Sequence, residues 1–390
     1  MSPVIEPPSA AWANAFAERL LAWYGRERRD LPWRRNRDPY RIWVSEAMLQ
    51  QTRVDTAIPY FERFLAFFPT PAALAAAGEE QVLKAWEGLG YYARARHLQA
   101  AVREVEDRYG GRVPLDPEAF RALPGVGPYM AGAVLSIAYD LPLPAVDGNV
   151  MRVFARLLLL REDPARPAVR RALEGLIPGL MPPGRAGDFN QALMELGALV
   201  CLPRTPRCGD CPVAALCGAR ATGEQTALPL RRETRAVPEV RLVAAVVRAG
   251  GRVLIRRRPD SGLLAGLWEF PNWPVTGEDT HWQVLQRGMS ELGLAPAEWG
   301  RVPADVGAEP AAPVPATAAR PSPLIRVRHA FSHLRWDLAA YLGDLPGEVP
   351  AAPRPGYLWA GPEDLASLAF PAPMARVSAA ARQAEPFRTA

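Results

Sequence analysis

Lysine is nearly absent from this chain of 390 residues. Of its 46 basic residues, Lys84 is the only lysine and the other 45 are arginine. A reaction that passes through a lysine Schiff base therefore has one candidate nucleophile in the whole sequence. The net charge of +5 permits nucleic acid as a partner without requiring it.

Long apolar runs and an export signal are also missing. No apolar run reaches the roughly 18 residues that a membrane-spanning helix needs. The N-terminus, "MSPVIEPPSA", has no basic segment followed by an apolar one, so it does not resemble a signal peptide. We therefore expect a cytoplasmic protein whose thiols stay reduced.

Cysteine is absent outside one short segment, "CLPRTPRCGDCPVAALC", residues 201–217. The spacing is C-x6-C-x2-C-x5-C, given by Cys201, Cys208, Cys211 and Cys217. Clustered thiols in a reducing compartment are more typical of metal ligands than of disulfides. Four thiolates suit a zinc ion or a four-iron cluster, and the spacing alone does not choose between them.

The pattern of apolar residues predicts two domains and a linker. Residues 1–220 carry apolar side chains at helical spacing, which residues 221–239 lose. Residues 240–375 alternate in a way that is typical of strands, with a hairpin at 249–251, so we expect a smaller α+β domain. Two segments are expected to lie outside regular structure: a Pro/Ala-rich loop at 303–323 and a tail at 376–390.

A glycine-rich turn, "LPGVGPYM", connects two predicted helices within a hairpin at 123–134. Gly125 and Gly127 allow backbone N–H groups to be exposed beside a helix N-terminus, where they can hold a phosphate. Taken alone, this motif favours an ordinary connection between helices.

Two carboxylates are candidates for chemistry. Asp147 precedes the amphipathic segment "GNVMRVFARL" and is predicted to cap that helix, where the helix dipole keeps it ionised. Such a fixed anion can stabilise a developing sugar cation. Glu46 lies in the apolar segment "WVSEAML" and is either on an exposed stripe or buried. Burial would favour its protonated form, which is suited to general acid catalysis.

The order of hairpin, aspartate and cysteine loop resembles the helix–hairpin–helix DNA glycosylase superfamily over about residues 30–220. The resemblance implies a [4Fe–4S] cluster in place of zinc. Superfamily members related to endonuclease III carry a nucleophilic lysine just after the hairpin, where this chain has Tyr129. The chain instead resembles the MutY-type adenine DNA glycosylases, which remove adenine mispaired with 8-oxoguanine. The resemblance rests on Tyr129 and on the segments "WVSEAMLQQT" and "EGLGYYARAR".

The C-terminal part is similar to the Nudix-like domain in which MutY-type enzymes end and with which they read 8-oxoguanine. The matching segments are "RVLIRRRPDSGLLAGLWEFP" and "HAFSHLRWDL". A hydrolytic Nudix domain needs a glutamate-rich helix to hold magnesium, whereas "LQRGMSELG" offers Glu291 alone. The resemblance therefore implies a domain that recognises the lesion and does not hydrolyse nucleotides.

The resemblance also implies roles for single residues. The chemistry falls to an acid that protonates adenine N7, a carboxylate that stabilises the sugar cation, a tyrosine between them and a residue that positions water: Glu46, Asp147, Tyr129 and Asn149. Two residues lie near the flipped adenine: Arg34 and Gln191. The hairpin holds the DNA backbone and two residues wedge into the duplex: Gly125, Val126, Gly127, Gln51 and Tyr91. The remaining residues contact 8-oxoguanine or complete that contact loop: Thr52, Leu89, Phe331, Ser332 and His333.

Together these features predict a monofunctional adenine DNA glycosylase of base excision repair. We expect an all-α helix–hairpin–helix domain with a [4Fe–4S] loop, followed by an α+β Nudix-like domain. The expected partner is double-stranded DNA with 8-oxoguanine:adenine or guanine:adenine mispairs, bound by a monomer. Three alternatives are an endonuclease III-like glycosylase/lyase, a nucleotide hydrolase and an inactive DNA-binding protein. The missing lysine, the missing acidic cluster and the two carboxylates, respectively, argue against them.

Overall fold

The computed structural model describes residues 5, 7–230, 237–294, 298–299 and 322–384. The chain forms two compact units, Met1–Ala77 with Arg94–Thr234 and Gly78–Ala93 with Arg235–Ala390. The second unit thus includes a short segment from the part of the sequence that was expected to form the helical domain. Most of the Pro/Ala-rich loop expected at 303–323 lies outside the described residues.

The first unit is helical in its described part. Its α-helices are α1 (Ala10–Glu27), α2 (Pro39–Leu49), α3 (Val54–Phe67), α4 (Pro71–Ala76), α6 (Ala93–Tyr109), α7 (Pro117–Arg121), α8 (Pro128–Tyr139), α9 (Gly148–Leu157), α10 (Pro167–Leu176), α11 (Ala186–Leu199) and α12 (Gly218–Ala221). Helix α5 (Glu79–Ala85) belongs to the second unit. Short 3-10 turns lie at Pro32–Arg34, Ile177–Leu180 and Ala214–Leu216.

One apolar core joins the helices that carry the later half of this unit. Phe16 of α1, Phe154 of α9 and Phe189 of α11 are each 0% exposed and pack together. The close approach of α9 and α11 depends on Gly197, since a Cβ there would lie 2.6 Å from Asn149 Cβ. Any larger residue at this position would push the start of α9 away from α11.

The second unit is built on a mixed sheet. Its strands are β1 (Glu239–Ala249), β2 (Arg252–Arg257), β3 (Trp268–Glu269), β4 (Asn272–Pro274), β5 (Glu298–Trp299), β6 (Ile325–Ala330), β7 (Arg335–Asp344) and β8 (Tyr357–Ala360). The order is β3-β2-β1-β7-β5, with β4 paired to β1, β6 to β7 and β8 to β2. Strand β1 runs parallel to β7, with Val243 opposite Ala339, and antiparallel to β2. The hairpin predicted at 249–251 connects β1 to β2.

Helices cover both faces of this sheet. They are α13 (His281–Glu291), α14 (Pro362–Ser367) and α15 (Ala372–Gln383). Val243 and Val247 of β1 pack in the same core as Val284 of α13, while Leu242 and Val246 face the core of α14 and α15. Because both faces of β1 are covered, its sequence is nearly continuously apolar.

Two boundaries differ from the sequence analysis. The described part of the tail expected from residue 376 belongs almost entirely to α15, because Met374, Val377 and Ala381 are each 0% exposed and form one apolar face of that helix. The linker expected at 221–239 is partly folded, since Leu228 is 2% exposed and its carbonyl accepts a hydrogen bond from Arg156 Nε at 2.9 Å. Residues 231–236 within it lie outside the described part.

Candidate active site

A cavity of about 150 Å³ in the first unit gathers most of the residues expected to carry the chemistry. Its walls come from α2, α8, α11, the start of α9 and the residues before α2. Seven residues from the sequence analysis line it: Arg34, Glu46, Thr52, Tyr129, Asp147, Asn149 and Gln191. The fold thus brings together side chains that are more than 150 residues apart in the sequence.

Glu46 is buried in α2, with 5% of its surface exposed. The sequence left open whether Glu46 is exposed or buried, and this burial shows that the exposed position is wrong. Burial raises the pKa of the Glu46 carboxyl to about 7, although the hydrogen bond from Tyr129 lowers it. Tyr129 Oη donates to Glu46 Oε2 at 2.6 Å, which leaves Oε1 as the oxygen that carries the proton of the neutral acid. Glu46 can therefore be protonated near neutral pH.

Asp147 caps α9, as its position in the sequence predicts. Its Oδ1 accepts the backbone N–H of Val150 at 2.8 Å, and its Oδ2 accepts Asn149 Nδ2 at 2.7 Å. Burial raises the pKa of Asp147, and these two hydrogen bonds oppose the rise. Because both oxygens act as acceptors, the geometry suits the ionised form.

Asn149 is held in place by Arg152, a residue that the sequence analysis missed. Arg152 Nη2 donates to Asn149 Oδ1 and to the carbonyl of Gly197, both at 2.8 Å, and its Nε donates to the carbonyl of Cys201 at 2.7 Å. Since the Asn149 amide oxygen is bound to Arg152, its NH2 group is directed to Asp147. The sequence signal that could have identified Arg152 is an arginine on the apolar face of an amphipathic helix. In the structure, 7% of the surface of Arg152 is exposed.

Two further charged residues on the cavity wall, Glu195 and Arg29, were not identified in the sequence analysis. Glu195 of α11 is 1% exposed and forms ion pairs with Arg29 and Arg34. Arg34 Nε is buried and has no hydrogen-bond partner in the part of the chain that the structure describes. Gln191 lies one turn before Glu195, and its Nε2 donates to the carbonyl of Gly187 at 3.3 Å.

The glycine-rich turn has the backbone form that the sequence predicts. Gly125 has φ of 72°, and a Cβ there would lie 2.6 Å from His97 Cβ, so only glycine fits. Val126 is buried and its N–H donates to the carbonyl of Leu123 at 3.1 Å. Gly127 caps α8, and no described atom lies within 4 Å of the place of its Cβ. The start of α8 therefore has an open approach.

Two residues expected to wedge into DNA adopt left-handed backbone conformations. Gln51 has φ of 59° in the first unit, and Tyr91 has φ of 46° in the second, where 43% of its surface is exposed. Non-glycine residues in this region carry strain and are typical of functional positions. The turn at Gln51 is braced by Arg94, which donates to the carbonyls of Met48 and Gln50. Leu89, close to Tyr91, is buried.

Three of the residues expected to contact 8-oxoguanine or complete that contact, Phe331, Ser332 and His333, lie in the tight loop between β6 and β7. The N–H of Phe331 donates to the carbonyl of Leu334 at 2.8 Å, and its ring packs edge-to-face with Trp336 at 5.0 Å. Ser332 and His333 are exposed, and Ser332 Oγ lies 3.3 Å from His333 Nδ1. The ring of Phe331 thus anchors a loop that presents two polar side chains.

The four cysteines are free thiols that line one common cavity of about 30 Å³. Burial and the three neighbouring cysteines together raise the pKa of Cys211 to about 11, although a backbone hydrogen bond from Val213 opposes the rise. Arg156 Nη1 lies 3.2 Å from Cys201 Sγ. Gln225 Oε1, on the same cavity, is buried without a hydrogen-bond partner among the described residues. Within those residues, no three His, Cys, Asp or Glu side chains are placed to hold a single metal ion.

Comparison with known proteins adds a family to this geometry. The model of the HhH-GPD superfamily of base excision DNA repair proteins matches residues 44–179, and the NUDIX domain model matches residues 242–380. The adenine DNA glycosylase of Rattus norvegicus is 38% identical over 93% of this chain and 77% of its own length. That of Homo sapiens is 37% identical over 94% of this chain and 74% of its own length. The chain belongs to the adenine DNA glycosylase family.

This membership confirms the resemblance, the fold class and the reaction class that the sequence predicts. The enzyme is a DNA glycosylase of base excision repair, with a helical HhH-GPD domain followed by a Nudix-like domain. A solved thermostable thymine-DNA glycosylase aligns with a TM-score of 0.50 and 30% identity, covering 54% of this chain and 98% of the other. No helix in the described ranges is long and apolar enough to cross a membrane.

Proposed function

We propose that this adenine DNA glycosylase acts on double-stranded DNA in which adenine faces 8-oxoguanine or guanine, and that it hydrolyses the N-glycosidic bond without a covalent lysine intermediate. The observation that carries this proposal is a pair of unlike carboxyl groups in one cavity. Glu46 has a pKa raised to about 7 by burial, while both oxygens of Asp147 accept hydrogen bonds. Two carboxyl groups with different protonation states are the requirement for acid-assisted glycoside cleavage.

The proposed reaction begins with adenine flipped out of the duplex into the cavity. Glu46 Oε1 gives its proton to adenine N7, and the electrons of the C1′–N9 bond leave with the neutral base. Asp147 then stabilises the positive sugar, since an anion held by a helix N-terminus needs no rearrangement when that charge develops. Water positioned by Asn149 adds to C1′ and gives its proton to the Glu46 carboxylate, which restores the acid.

Substrate placement follows from the groups around this pair. Arg34 lines this cavity and is held there by Glu195, which supports a contact between its guanidinium and an acceptor nitrogen of the base. Gln191 lies on the same wall and offers both a donor and an acceptor. The open N-terminus of α8 at Gly127 supports the proposed grip on a DNA phosphate.

A lyase reaction is disfavoured by the place of the amine. Tyr129, not lysine, lies beside Glu46, and Lys84 Nζ is bound to Glu87 Oε2 at 2.6 Å and to the carbonyl of Leu368 at 3.0 Å. We expect a duplex with one 8-oxoguanine:adenine pair to release free adenine while borohydride traps little protein on the DNA. Efficient trapping would contradict the proposal, and loss of that trapping in Lys84→Arg would identify the nucleophile. Release of a base other than adenine would contradict the substrate.

The cysteine cavity supports a four-iron cluster held by Cys201, Cys208, Cys211 and Cys217. Four cysteines that line one cavity and form no disulfide are the ligand set that a four-iron cluster requires. Arg156 and Gln225, which line the same cavity, supply polar groups near the sulfurs. When bound, the cluster would tie the loop to one centre and stabilise it.

This assignment predicts a yellow-brown protein. Anaerobically purified enzyme should contain about four irons and about four inorganic sulfides per chain, because a cubane has four of each. Cys211→Ala should lower both contents, whereas the wild-type ratio should persist in Ser367→Ala, a change of an exposed serine far along the sequence. Stoichiometric zinc in place of iron would refute the cluster.

The loop between β6 and β7, residues 331–334, is the proposed recognition loop for 8-oxoguanine, called the reader below. Adenine is a normal base, so only the opposite base marks the mispair, and selectivity requires a second contact surface. Ser332 is exposed at the tip of the loop that Phe331 anchors. One hydrogen bond from Ser332 to the lesion is worth about 1 kcal/mol net.

Ser332→Ala should therefore lower the preference for 8-oxoguanine:adenine over guanine:adenine by about fivefold. Both excision rates and both affinities should be measured at one salt concentration, because phosphate contacts make binding salt-dependent. Ser367→Ala is the matched control in the same unit and should keep the wild-type preference. An unchanged preference in Ser332→Ala would remove Ser332 from the reader.

A point substitution tests this reader more sharply than truncation of the second unit. Within that unit, Glu87 Oε1 accepts the N–H of Phe370 at 2.9 Å and Tyr92 Oη donates to the carbonyl of Phe370 at 3.2 Å. Lys84 is bound to Leu368 as well. Deleting the chain after residue 239 would thus also remove the partners that hold the segment of Leu89 and Tyr91.

A further inference from the structure

A buried carboxylate organises two arginines on the wall of the active-site cavity. Glu195 Oε1 accepts Arg29 Nε at 2.9 Å and the Arg29 backbone N–H at 3.0 Å, and its Oε2 accepts Arg29 Nη2 at 2.8 Å. The same two oxygens accept Arg34 Nη1 at 3.2 Å and Arg34 Nη2 at 2.9 Å. Glu195 thus receives five hydrogen bonds while only 1% of its surface is exposed.

The arrangement is rigid and charged. Arg34 Nη1 also donates to the carbonyl of Arg29 at 3.1 Å, and its guanidinium lies 5.5 Å from the ring of Tyr24. Burial alone would raise the pKa of Glu195, but the hydrogen bonds from Arg29 and Arg34 outweigh it and lower the pKa to about 2. Glu195 is therefore ionised throughout the working range of an enzyme, and the three residues together carry one positive charge.

Arg34 connects this cluster to the proposed acid. The titratable and charged groups around Glu46 come from several elements and share one cavity: Tyr129 on α8, Asp147 before α9, Arg34 from the 3-10 turn, Arg29 before that turn and Glu195 on α11. Helix α3, which packs on α2, adds the uncharged Val54 to the wall, and its Asp55 interacts electrostatically with Arg29. Arg34 is the cation that lowers the pKa of Glu46 and so favours the form that has lost its proton.

We propose that Glu195 is a positioning residue for adenine excision, which holds Arg29 and Arg34 at the cavity wall and offsets part of their positive charge beside Glu46. The inference rests on the proposed role of Glu46 as the acid. Glu195 itself touches neither the base nor the sugar in this scheme. It acts through Arg34, whose position and effective charge it sets.

The test is the pH dependence of single-turnover adenine excision by the full-length enzyme on a saturating 8-oxoguanine:adenine duplex. Wild-type excision should decline as pH rises through the pKa of Glu46. Glu195→Gln keeps the size of the side chain and removes its charge, so the decline should move to lower pH by about one unit. Excision at pH ~8 should then fall about tenfold, while excision at pH ~5.5 should stay within about threefold of wild type.

A variant that should shift the pH of the decline in the opposite direction provides the control. Arg29→Gln removes one cation and leaves the cluster without net charge, so the decline should move to higher pH. Glu195→Asp keeps the charge and should keep the pH of the decline, even where its shorter side chain lowers the rate. If Glu195→Gln does not fold, as judged by iron content and thermal melting, Arg29→Gln and Glu195→Asp still decide the question.

The outcomes separate this inference from the proposed function. A uniform loss of rate in Glu195→Gln with no movement of the decline means a purely structural role and overturns the inference. Movement of the decline in Arg29→Gln to lower pH overturns it as well. If the wild-type decline is absent, or if Glu46→Gln keeps full excision, the assignment of Glu46 fails first. If the wild-type decline is present and Glu46→Gln loses excision, but the decline is unmoved in the cluster variants, only the role of Glu195 fails.

Discussion

Glu46→Gln should reduce single-turnover adenine excision by at least about 10²-fold while DNA binding is retained. The amide has the shape of the carboxyl but has no acidic proton to give to adenine N7. The substitution also fits the local structure, because Tyr129 Oη can donate to an amide oxygen as it does to Glu46 Oε2. The buried position makes this a change of chemistry with little change in packing.

The matched control for this change is Gln191→Glu, which adds a carboxyl to the same cavity wall without removing the proposed acid. The double variant Glu46→Gln with Gln191→Glu should remain as inactive as Glu46→Gln alone, because Tyr129 orients the side chain at position 46 and not the new carboxyl at position 191. Near-wild-type excision by Glu46→Gln on a single-turnover time scale would remove Glu46 as the acid.

Asp147→Asn should lower excision by about 10²-fold or more, with the fold intact. Asparagine caps helices about as well as aspartate, so α9 keeps its first turn and the N–H of Val150 keeps an acceptor. The variant lacks the negative charge that the proposed mechanism places next to the developing sugar cation. Loss of activity without loss of stability would therefore separate the charge from the cap.

Two measurements check this separation. Thermal melting of Asp147→Asn should match wild type, whereas Asp147→Ala should lose about 1 kcal/mol of stability because the cap is lost. Asp116→Asn is a control at another helix start, since Asp116 caps α7 in the same way. It should change neither stability nor excision. Equal excision by Asp147→Asn and wild type would show that the charge has no catalytic role.

The sequence predicts some of the site because its signals are local. Asp147 is a helix cap that can be recognised from the residues after it, and the structure confirms it. Gly125 is predicted by its turn motif and takes the positive φ that the turn requires. The periodicity of α2 does not decide the burial of Glu46, since residues on all sides of that helix are apolar and buried.

The parts of the site and the fold that the sequence does not predict depend on contacts between segments far apart in the chain. Glu195 lies in the apolar segment "ALMELGAL", so the signal that singled out Glu46 was present there too. Its partner Arg29 is 166 residues away, and no local pattern connects the two. The assignment of Gly78–Ala93 to the second unit has the same origin, because a helical period shows which face is buried and not against which core.

The most direct measurement is the rate of free adenine release from a duplex with one 8-oxoguanine:adenine pair, under single-turnover conditions, between pH ~5.5 and ~9. Burial raises the pKa of Glu46 to about 7, and the acid must be protonated to act. The rate should therefore be highest on the acidic side and fall as pH rises through about 7, and this decline should vanish in the residual activity of Glu46→Gln. A wild-type rate that stays constant or increases across that range would contradict a protonated Glu46 as the group that starts the reaction.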